Sequence, residues 1–194
     1  MKIVKQDGIS LACQYLKDGK VIAFPTETVY GIGVDGCSKK AYFRIYEIKK
    51  REKEKRIPFL IGDISYLPII AKDIGERAYK LAEKFWPGPL TIILYSKDEF
   101  KWVGEKIGVR IPNHPITLSL LNEFKGPIAT TSANISGERD ATTIEDILPI
   151  SGIELIIDGG KTQIGIPSTI VDVTLTPPKI LREGAIYEEV LKWI

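Results

Sequence analysis

The chain is predicted to form an α/β fold, a single domain with a twisted, mixed parallel and antiparallel sheet and flanking helices. Early in the chain, short apolar runs typical of strands alternate with segments whose apolar residues recur at helical spacing. Later, several apolar runs are joined by connections too short for the crossover helix that parallel strands require. Because no spacer, repeat or low-complexity tract interrupts the sequence, residues 1–194 are expected to form one domain.

The first elements are predicted from periodicity and from residues that begin or end helices. Apolar residues at helical spacing before Gly19 predict a helix over residues 9–18. The apolar run at residues 21–24 predicts a strand, after which Ser38 can cap a second helix.

The remaining elements are predicted from the same signals. Strands are expected at residues 59–61, 91–95, 108–111, 128–131, 155–157, 169–173 and 179–181. Helices are expected at residues 74–85, 116–124, 143–148 and 187–193. The Trp-Pro-Gly-Pro segment at residues 86–89 is interpreted as a helix stop that leads into the next strand.

The composition narrows the classes of protein and partner. A formal net charge of +2 argues against bulk electrostatic binding of nucleic acid. Two cysteines without a C-x-x-C spacing argue against structural zinc and a disulfide framework. No apolar run reaches the about 18 residues that a membrane span needs, so a soluble, cytoplasmic protein is expected.

Positive charge is concentrated in one segment. Six of the eight residues 49–56 are Lys or Arg, which could form a basic lip on a binding site. The alternative is a solvated helix end, where cations complement the negative end of the helix dipole. Lys49 and Arg51 can face one ligand only if the second helix ends near residue 48, because residues two apart do not share a helix face.

Two blocks rich in hydroxyl, amide and glycine residues follow apolar runs, where α/β proteins commonly place functional groups. Residues 24–33 read FPTETVYGIG, and residues 129–137 read ATTSANISG. Pro25 is expected to end a strand, and Gly31 and Gly33 to let the chain turn closely around a ligand. A polar turn after an edge strand is the alternative interpretation of the first block.

Together with five further segments, these blocks resemble the YrdC/Sua5 family, the threonylcarbamoyl-AMP synthases, over essentially the whole chain. The further segments lie at residues 49–51, 85–91, 108–115, 166–172 and 181–184. Since only one predicted helix follows the last segment, the chain is expected to be the short YrdC-type form, without the additional domain of Sua5-type members.

The resemblance implies an α/β fold with a concave, positively charged groove, and an enzyme that joins L-threonine, bicarbonate or CO2, and ATP. The implied products are L-threonylcarbamoyladenylate and pyrophosphate, with Mg²⁺ carried by ATP rather than by a cage of protein ligands. The adenylate serves the threonylcarbamoyl modification of adenosine in tRNA. This use implies partner proteins, and it makes tRNA or double-stranded RNA candidate ligands.

The resemblance also assigns roles to individual residues. Lys49 and Arg51 match a Lys-x-Arg pair that faces the nucleotide phosphates, and they are the candidate catalytic residues. Thr28, Arg110 and Ser168 match residues that contact L-threonine. The rest of the candidate ATP site consists of Thr130, Ser132, Asn134 and Arg182.

Residue chemistry supports part of this assignment and leaves alternatives open. Arg110 is expected within a strand, where an arginine is costly to bury unless an anion pairs with it, so a ligand contact is favoured over an exposed position. Ser132 and Asn134 could instead form a turn that caps backbone groups. His114 is interpreted as structural, because a lone histidine in a Pro-flanked turn usually satisfies a local hydrogen bond.

The chain departs from the family pattern after Arg51. Glu52 stands where many relatives have proline, residues 53–57 form a longer charged insertion, and Gly62 stands about where a threonine-contacting histidine would fall. The hypothesis for the insertion is a mobile lid over the triphosphate. Two rival functions stay open at this stage: an RNA-binding module without catalysis, and carbamoyl transfer through a carbamoyl-adenylate.

Overall fold

The computed structural model describes residues 1–50, 52, 54–135 and 137–194, and it confirms the predicted mixed α/β fold. The α-helices of these residues are α1 (Ile9–Lys17), α2 (Lys39–Lys49), α3 (Leu67–Ile70), α4 (Glu76–Phe85), α5 (Pro115–Phe124) and α6 (Tyr187–Leu191). The strands are β1 (Lys2–Val4), β2 (Ile22–Phe24), β3 (Gly31–Asp35), β4 (Phe59–Leu60), β5 (Ala71–Lys72), β6 (Leu90–Ser96), β7 (Lys106–Arg110), β8 (Ile128–Ser132), β9 (Leu155–Ile157), β10 (Thr169–Asp172) and β11 (Lys179–Arg182).

These strands form one sheet, in the order β1, β9, β2, β3, β8, β4, β7, β6, β10 and β11, with β5 paired to the end of β6. Four pairs are parallel, namely β1 with β9, β2 with β9, β4 with β7, and β6 with β10. Because β3 pairs antiparallel with β8, the two polar blocks lie side by side in the sheet. Gly31 is opposite Ser132, and Gly33 is opposite Thr130.

Helices cover both faces of the sheet, and a hydrophobic core lies on each face. Strand β2 contributes residues to both cores. Ala23 belongs to the larger hydrophobic core, which includes buried residues of α2 and α4. Ile22 and Phe24 belong to a second core with buried residues of α1 and α5. This division follows from the alternation of side chains along a strand. The sheet is therefore held rigidly from both sides.

The expectation that Gly31 and Gly33 form a turn around a ligand is wrong, because both residues lie in strand β3. What requires glycine here is close packing within the sheet. A Cβ atom on Gly31 would lie 2.7 Å from Thr130 Cγ2. A Cβ atom on Gly33 would lie 2.8 Å from both Ile128 Cγ2 and Phe24 Cε1. Because these two residues lack side chains, β3 packs closely against Thr130 and Ile128 of β8.

We expect Gly33→Ala to lower the free energy of unfolding by roughly 1–3 kcal/mol, because an added methyl group overpacks a filled core. The measurement is chemical unfolding followed by circular dichroism. Gly75→Ala is the matched control, since nothing lies within 4 Å of a Cβ atom there, and it should change stability by less than about 1 kcal/mol. Equal effects of the two substitutions would contradict the packing explanation.

The predicted helix at residues 143–148 is also wrong, since these residues form turns. The side chain of Asp146 bonds to the backbone at the start of this segment. Asp146 Oδ2 accepts hydrogen bonds from the backbone N–H groups of Thr142, at 2.8 Å, and Thr143, at 3.1 Å. These backbone bonds hold the pKa of Asp146 below its usual value. Pro149 follows directly, and the residue before a proline is disfavoured in the helical conformation, so this short segment forms turns instead of a helix.

The end of α2 lies within one residue of its predicted position. Ser38 Oγ accepts a hydrogen bond from the backbone N–H of Ala41 at 3.2 Å, which confirms the predicted cap. Lys49 is the last helical residue, and Lys50 adopts the left-handed conformation with φ of 50°. None of the described helices has both the length and the apolar composition needed to cross a membrane.

Candidate active site

A cleft opens at the ends of neighbouring strands of the sheet. It lies where β7, β8 and β11 end and where β6 and β10 begin. It encloses a cavity of about 120 Å³ and adjoins a second cavity of about 270 Å³. Together, but not singly, they reach the lower part of the range of roughly 300–1,000 Å³ that is typical of small-molecule sites. The cleft lining includes six of the predicted site residues: Thr28, Arg110, Thr130, Ser132, Ser168 and Arg182.

Arg110 is the last residue of β7 and is buried, with 6% of its surface exposed. Its Nη2 lies 2.7 Å from Glu27 Oε1, and its Nε donates a hydrogen bond to Gly88 O at 3.0 Å. Both Nη atoms lie 3.3 Å from Thr28 Oγ1, which in turn lies 2.8 Å from Thr26 Oγ1. The guanidinium group is therefore oriented from several sides at the cleft wall.

This geometry corrects the interpretation of Arg110 in two respects. The residue ends its strand instead of lying within it, and the anion that pairs with it is Glu27, a residue of the chain itself. Burial of an arginine is tolerated when an opposite charge lies beside it, and an internal carboxylate meets that need as well as a ligand does. What supports a ligand contact is the position of Arg110 in the cleft lining.

Ser168 and Arg182 form a second group in the cleft. Arg182 Nη2 donates a hydrogen bond to Ser168 Oγ at 3.0 Å, and Arg182 Nε donates to Ser168 O at 2.8 Å. Ser168 Oγ also lies 2.8 Å from Thr91 Oγ1. An arginine predicted for the ATP site is thus bonded twice to a serine predicted for the threonine site. The two predicted subsites are in direct contact.

Lys49 lies in a third group, behind the cleft wall. It is 1% exposed, and its Nζ donates hydrogen bonds to Ser132 O and to Asn134 Oδ1, the latter at 2.6 Å. Ser132 Oγ lies 2.8 Å from the same Asn134 oxygen, and Asn134 Nδ2 donates to Glu138 O at 2.7 Å. The last contact agrees with the alternative that this block forms a local turn. It does not exclude ligand binding by Ser132, which lines the cleft.

Two predicted ATP residues remain. Thr130 lines the cleft, and its Oγ1 donates a hydrogen bond to Ile128 O at 3.1 Å. Arg51, like Lys53 of the insertion, lies outside the described residues. The expectation that Lys49 and Arg51 act on one ligand therefore stays a prediction.

The adjoining cavity contains an ion pair that sequence reasoning did not single out. Buried Asp172 lies 2.9 Å from Lys106 Nζ and accepts a hydrogen bond from Thr174 Oγ1 at 2.6 Å. Burial alone would raise the pKa of Asp172, but the bonds from Lys106 and Thr174 outweigh burial and hold that pKa below its usual value. The carboxylate thus stays charged in a half-enclosed site.

Arg56 brings the charged insertion to the cleft. Its side chain lines both cavities, and its Nη1 donates a hydrogen bond to Lys106 O at 3.1 Å. Gly104, with φ of 121°, makes room for the guanidinium group, since a Cβ atom there would lie 2.5 Å from Arg56 Cζ. At its far end the insertion is anchored by buried Ile57, whose backbone N–H donates to Tyr42 Oη at 3.2 Å.

Sequence reasoning missed Thr91 and Arg56 as residues of the cleft lining, and Glu27 as the partner of Arg110. The position of Glu27 between two threonines of the first polar block was a signal that could have indicated a functional residue. Its pairing with Arg110 could not be predicted in this way, because the two residues lie far apart in sequence. Thr91 begins a strand that reads as ordinary core. Arg56 lies in a run of similar cations, so sequence alone does not indicate which of them turns towards the cleft.

The structure changes the interpretation of two positions near the site, His114 and Gly62. His114 is half-buried, and burial lowers its pKa although the charge of Glu27 opposes the shift. Within the described residues, His114 Nδ1 has no hydrogen-bond partner, so the expected local bond at this atom is absent. At position 62, a Cβ atom would lie 2.7 Å from Asn122 Oδ1, so a side chain there would meet α5.

Comparison with known proteins places this geometry in context. A family model for Sua5, YciO and YrdC proteins, described as Telomere recombination, matches residues 14–184. A threonylcarbamoyl-AMP synthase of Pyrococcus abyssi is 40% identical over 193 residues, covering 96% of this chain and 57% of the relative. One of Bacillus subtilis is 39% identical over 188 residues, covering 93% of this chain and 54% of the relative. The chain thus spans little more than half the length of these two relatives.

A solved structure shares the whole fold. Pyrococcus abyssi Sua5, complexed with L-threonine, matches with a TM-score of 0.93 and 38% sequence identity. The match covers 100% of this chain and 60% of that chain. The match therefore extends over the full length of this chain and over little more than half of the other.

Proposed function

We propose that this chain, which belongs to the Sua5/YciO/YrdC family, is a nucleotidyltransferase that forms L-threonylcarbamoyladenylate and pyrophosphate from L-threonine, bicarbonate or CO2, and ATP. One observation carries the proposal. Residues matched to a threonine site and to an ATP site line the same cleft, where Arg182 and Ser168 join the two groups. The names of the two relatives agree with this activity.

L-Threonine is proposed to bind at Arg110, Thr28 and Ser168. A guanidinium group can hold a carboxylate through two parallel hydrogen bonds, and Arg110 is already oriented at the cleft wall. The hydroxyl groups of Thr28 and Ser168 can exchange hydrogen bonds with the amino and hydroxyl groups of the substrate. The complex of Pyrococcus abyssi Sua5 with L-threonine supports an amino-acid site in this family.

ATP is proposed to bind with its phosphates near Ser132 and with its nucleoside towards the adjoining cavity. Lys49 is the proposed cation for the phosphates, and a phosphate oxygen would replace Asn134 Oδ1 as one of its acceptors. Arg51 is the proposed second cation, and Thr130 and Arg182 the further contacts. In the adjoining cavity, the apolar side chains of Pro58, Ile93 and Ile170 offer a surface for a base.

Magnesium is proposed to enter with ATP. Among the described residues, no group of three or more His, Cys, Asp or Glu side chains is arranged to hold a metal ion. Hydroxyl donors and cations line the cleft instead, a set that suits the phosphates of a nucleotide better than a bare metal ion. When bound, Mg²⁺ would neutralise charge on the phosphates, and every other contact is assigned to residues of the chain.

The proposed chemistry needs positioning more than proton transfer by the protein. The threonine nitrogen, as a free amine, bonds to the carbon of bicarbonate with loss of water, or to that of CO2 with loss of a proton, and becomes a carbamate. A carbamate oxygen then bonds to the α-phosphorus as the bond to the pyrophosphate oxygen breaks. Cations and hydroxyl donors held in place before the reaction stabilise the negative charge that moves onto pyrophosphate.

The test is pyrophosphate release from ATP, measured with threonine and bicarbonate added separately and together, with the nucleotide product identified by mass. We expect release only when both are present, and a product with the mass of threonylcarbamoyl-AMP. Release that needs carbamoyl phosphate but no threonine would favour the carbamoyl-adenylate rival. The absence of release, combined with RNA binding that weakens steeply with salt, would favour the RNA-binding module.

Use of the adenylate for tRNA modification would require its transfer to tRNA, and partner proteins are proposed for that step. Direct binding of tRNA or double-stranded RNA by this chain stays a prediction. The net charge of +2 argues for weak binding at most, because nonspecific affinity for RNA comes mainly from cations on phosphates.

A further inference from the structure

Glu27 carries a buried charge to which the proposed reaction assigns no role. The residue is 3% exposed, and it is not part of the cleft lining, which includes both of its neighbours Thr26 and Thr28. Within the part of the chain that the structure describes, neither of its carboxylate oxygens receives a hydrogen bond. Oε1 lies 2.7 Å from Arg110 Nη2 but outside hydrogen-bonding geometry, so the contact is chiefly electrostatic. The described contact of this carboxylate is thus with Arg110, which does line the cleft.

Glu27 is also fixed in its place. Its backbone O accepts a hydrogen bond from Ile164 N–H at 2.9 Å, and the next carbonyl, Thr28 O, accepts one from Gly165 N–H at 2.8 Å. One residue earlier, Thr26 Oγ1 donates to Val29 O at 2.7 Å. These bonds tie the segment to a neighbouring loop and to itself, so the backbone that carries the Glu27 side chain is held in place.

The pairing changes what Arg110 can attract. A lone buried guanidinium group would bind any small carboxylate, because its positive charge would be poorly screened there. Beside Glu27, the same group belongs to a pair without net charge. A simple carboxylate at Arg110 would then add a negative charge beside Glu27 that Arg110 no longer balances. Among the described residues of the cleft lining, only Arg182 and Arg56 are further cations that could offset it. A zwitterion adds no net charge, since its ammonium group brings the balancing charge.

We propose that Glu27 is a specificity-determining residue, which neutralises Arg110 so that the cleft selects zwitterionic amino acids over simple carboxylates of the same shape. The inference rests on the proposed function in one respect, namely that Arg110 receives the carboxylate of L-threonine. Glu27 acts through Arg110 and needs no contact with the substrate.

The test compares two ligands that differ only in the amino group, L-threonine and (R)-3-hydroxybutyrate, by calorimetry with the full chain and its Glu27→Gln variant. Glutamine keeps an oxygen for Arg110 but removes the charge. The unmodified chain should bind threonine at least about tenfold more tightly than 3-hydroxybutyrate, because like charges in a closed site repel strongly. In Glu27→Gln, affinity for 3-hydroxybutyrate should rise about tenfold relative to that for threonine. Glu123→Gln, which removes an exposed carboxylate on α5, should leave the ratio unchanged.

A purely structural role for Glu27 would weaken both ligands alike, so an unchanged ratio in Glu27→Gln overturns the inference. Glu27→Asp, which keeps the charge, should keep the selectivity, and loss of selectivity in that variant would also count against it. If Glu27→Gln does not fold, the test rests on the two affinities of the unmodified chain. Affinities for threonine and 3-hydroxybutyrate within threefold of each other contradict the inference. Failure of the unmodified chain to bind threonine at all would instead contradict the proposed function.

Discussion

Replacing Lys49 by methionine is expected to slow adenylate formation by about 10²–10³-fold, because the cation proposed to bind the phosphates is lost. Methionine keeps most of the buried volume, so the main change is the loss of the ammonium group. Stability should also fall by about 1–3 kcal/mol, since Ser132 O and Asn134 Oδ1 lose a charged donor in a buried place. The measurements are pyrophosphate release with saturating substrates and chemical unfolding of the ligand-free chain.

Lys50→Met is the matched control for this substitution. Lys50 is the next residue along the chain, is exposed, and ends α2 in the left-handed conformation. Removing its charge should change the rate by no more than about threefold, as is usual for exposed positions. A folded Lys49→Met variant that releases pyrophosphate at the rate of the control would remove Lys49 from the proposed catalytic residues.

Much of the fold could be predicted from sequence because its signals are local. The cap at Ser38, the apolar periodicity of α1 and α5 and the short apolar run of β9 each lie within one segment, and these elements occur where they are predicted. Strand β3 could not be predicted in this way. Its glycines read as a turn, and only the side chains of Phe24 and Ile128 across the sheet explain why glycine is needed there.

The residues of the site were predicted better than their pairings. Resemblance to a family indicated which side chains converge, and six of them line one cleft. It did not indicate that Arg110 already has an anionic partner, because the ion pair with Glu27 joins segments that fold together only in the complete sheet. Lys49 shows the same limit. A cation at a helix end reads as solvated, yet packing of α2 buries it against the end of β8.

The insertion at residues 53–57 is where sequence reasoning had least support. The hypothesis of a mobile lid stays a prediction. The contacts of Arg56 and Ile57 fasten the C-terminal end of the insertion to Lys106 and Tyr42.

Arg110→Gln is expected to raise the threonine concentration needed for half-maximal rate by about 100-fold, since a charged, two-point contact with the carboxylate is lost. Affinity for ATP should change little, because Arg110 is assigned to the threonine carboxylate and not to the phosphates. The free energy of unfolding should fall by about 3–5 kcal/mol, because Glu27 is left as a buried charge without its counter-ion. Steady-state kinetics and chemical unfolding measure the two effects.

The double variant Glu27→Gln/Arg110→Gln separates these effects. Removing both charges leaves no buried ion, so the double variant should recover most of the stability lost in Arg110→Gln. It should not recover threonine binding, because the guanidinium group is still absent. A double variant as unstable as Arg110→Gln would show that Arg110 stabilises the fold through Gly88 and Thr28 instead of through Glu27. If Arg110→Gln instead lowers the affinity for ATP and keeps the affinity for threonine, the assignment of the two subsites must be exchanged, because Arg110 would then face the nucleotide.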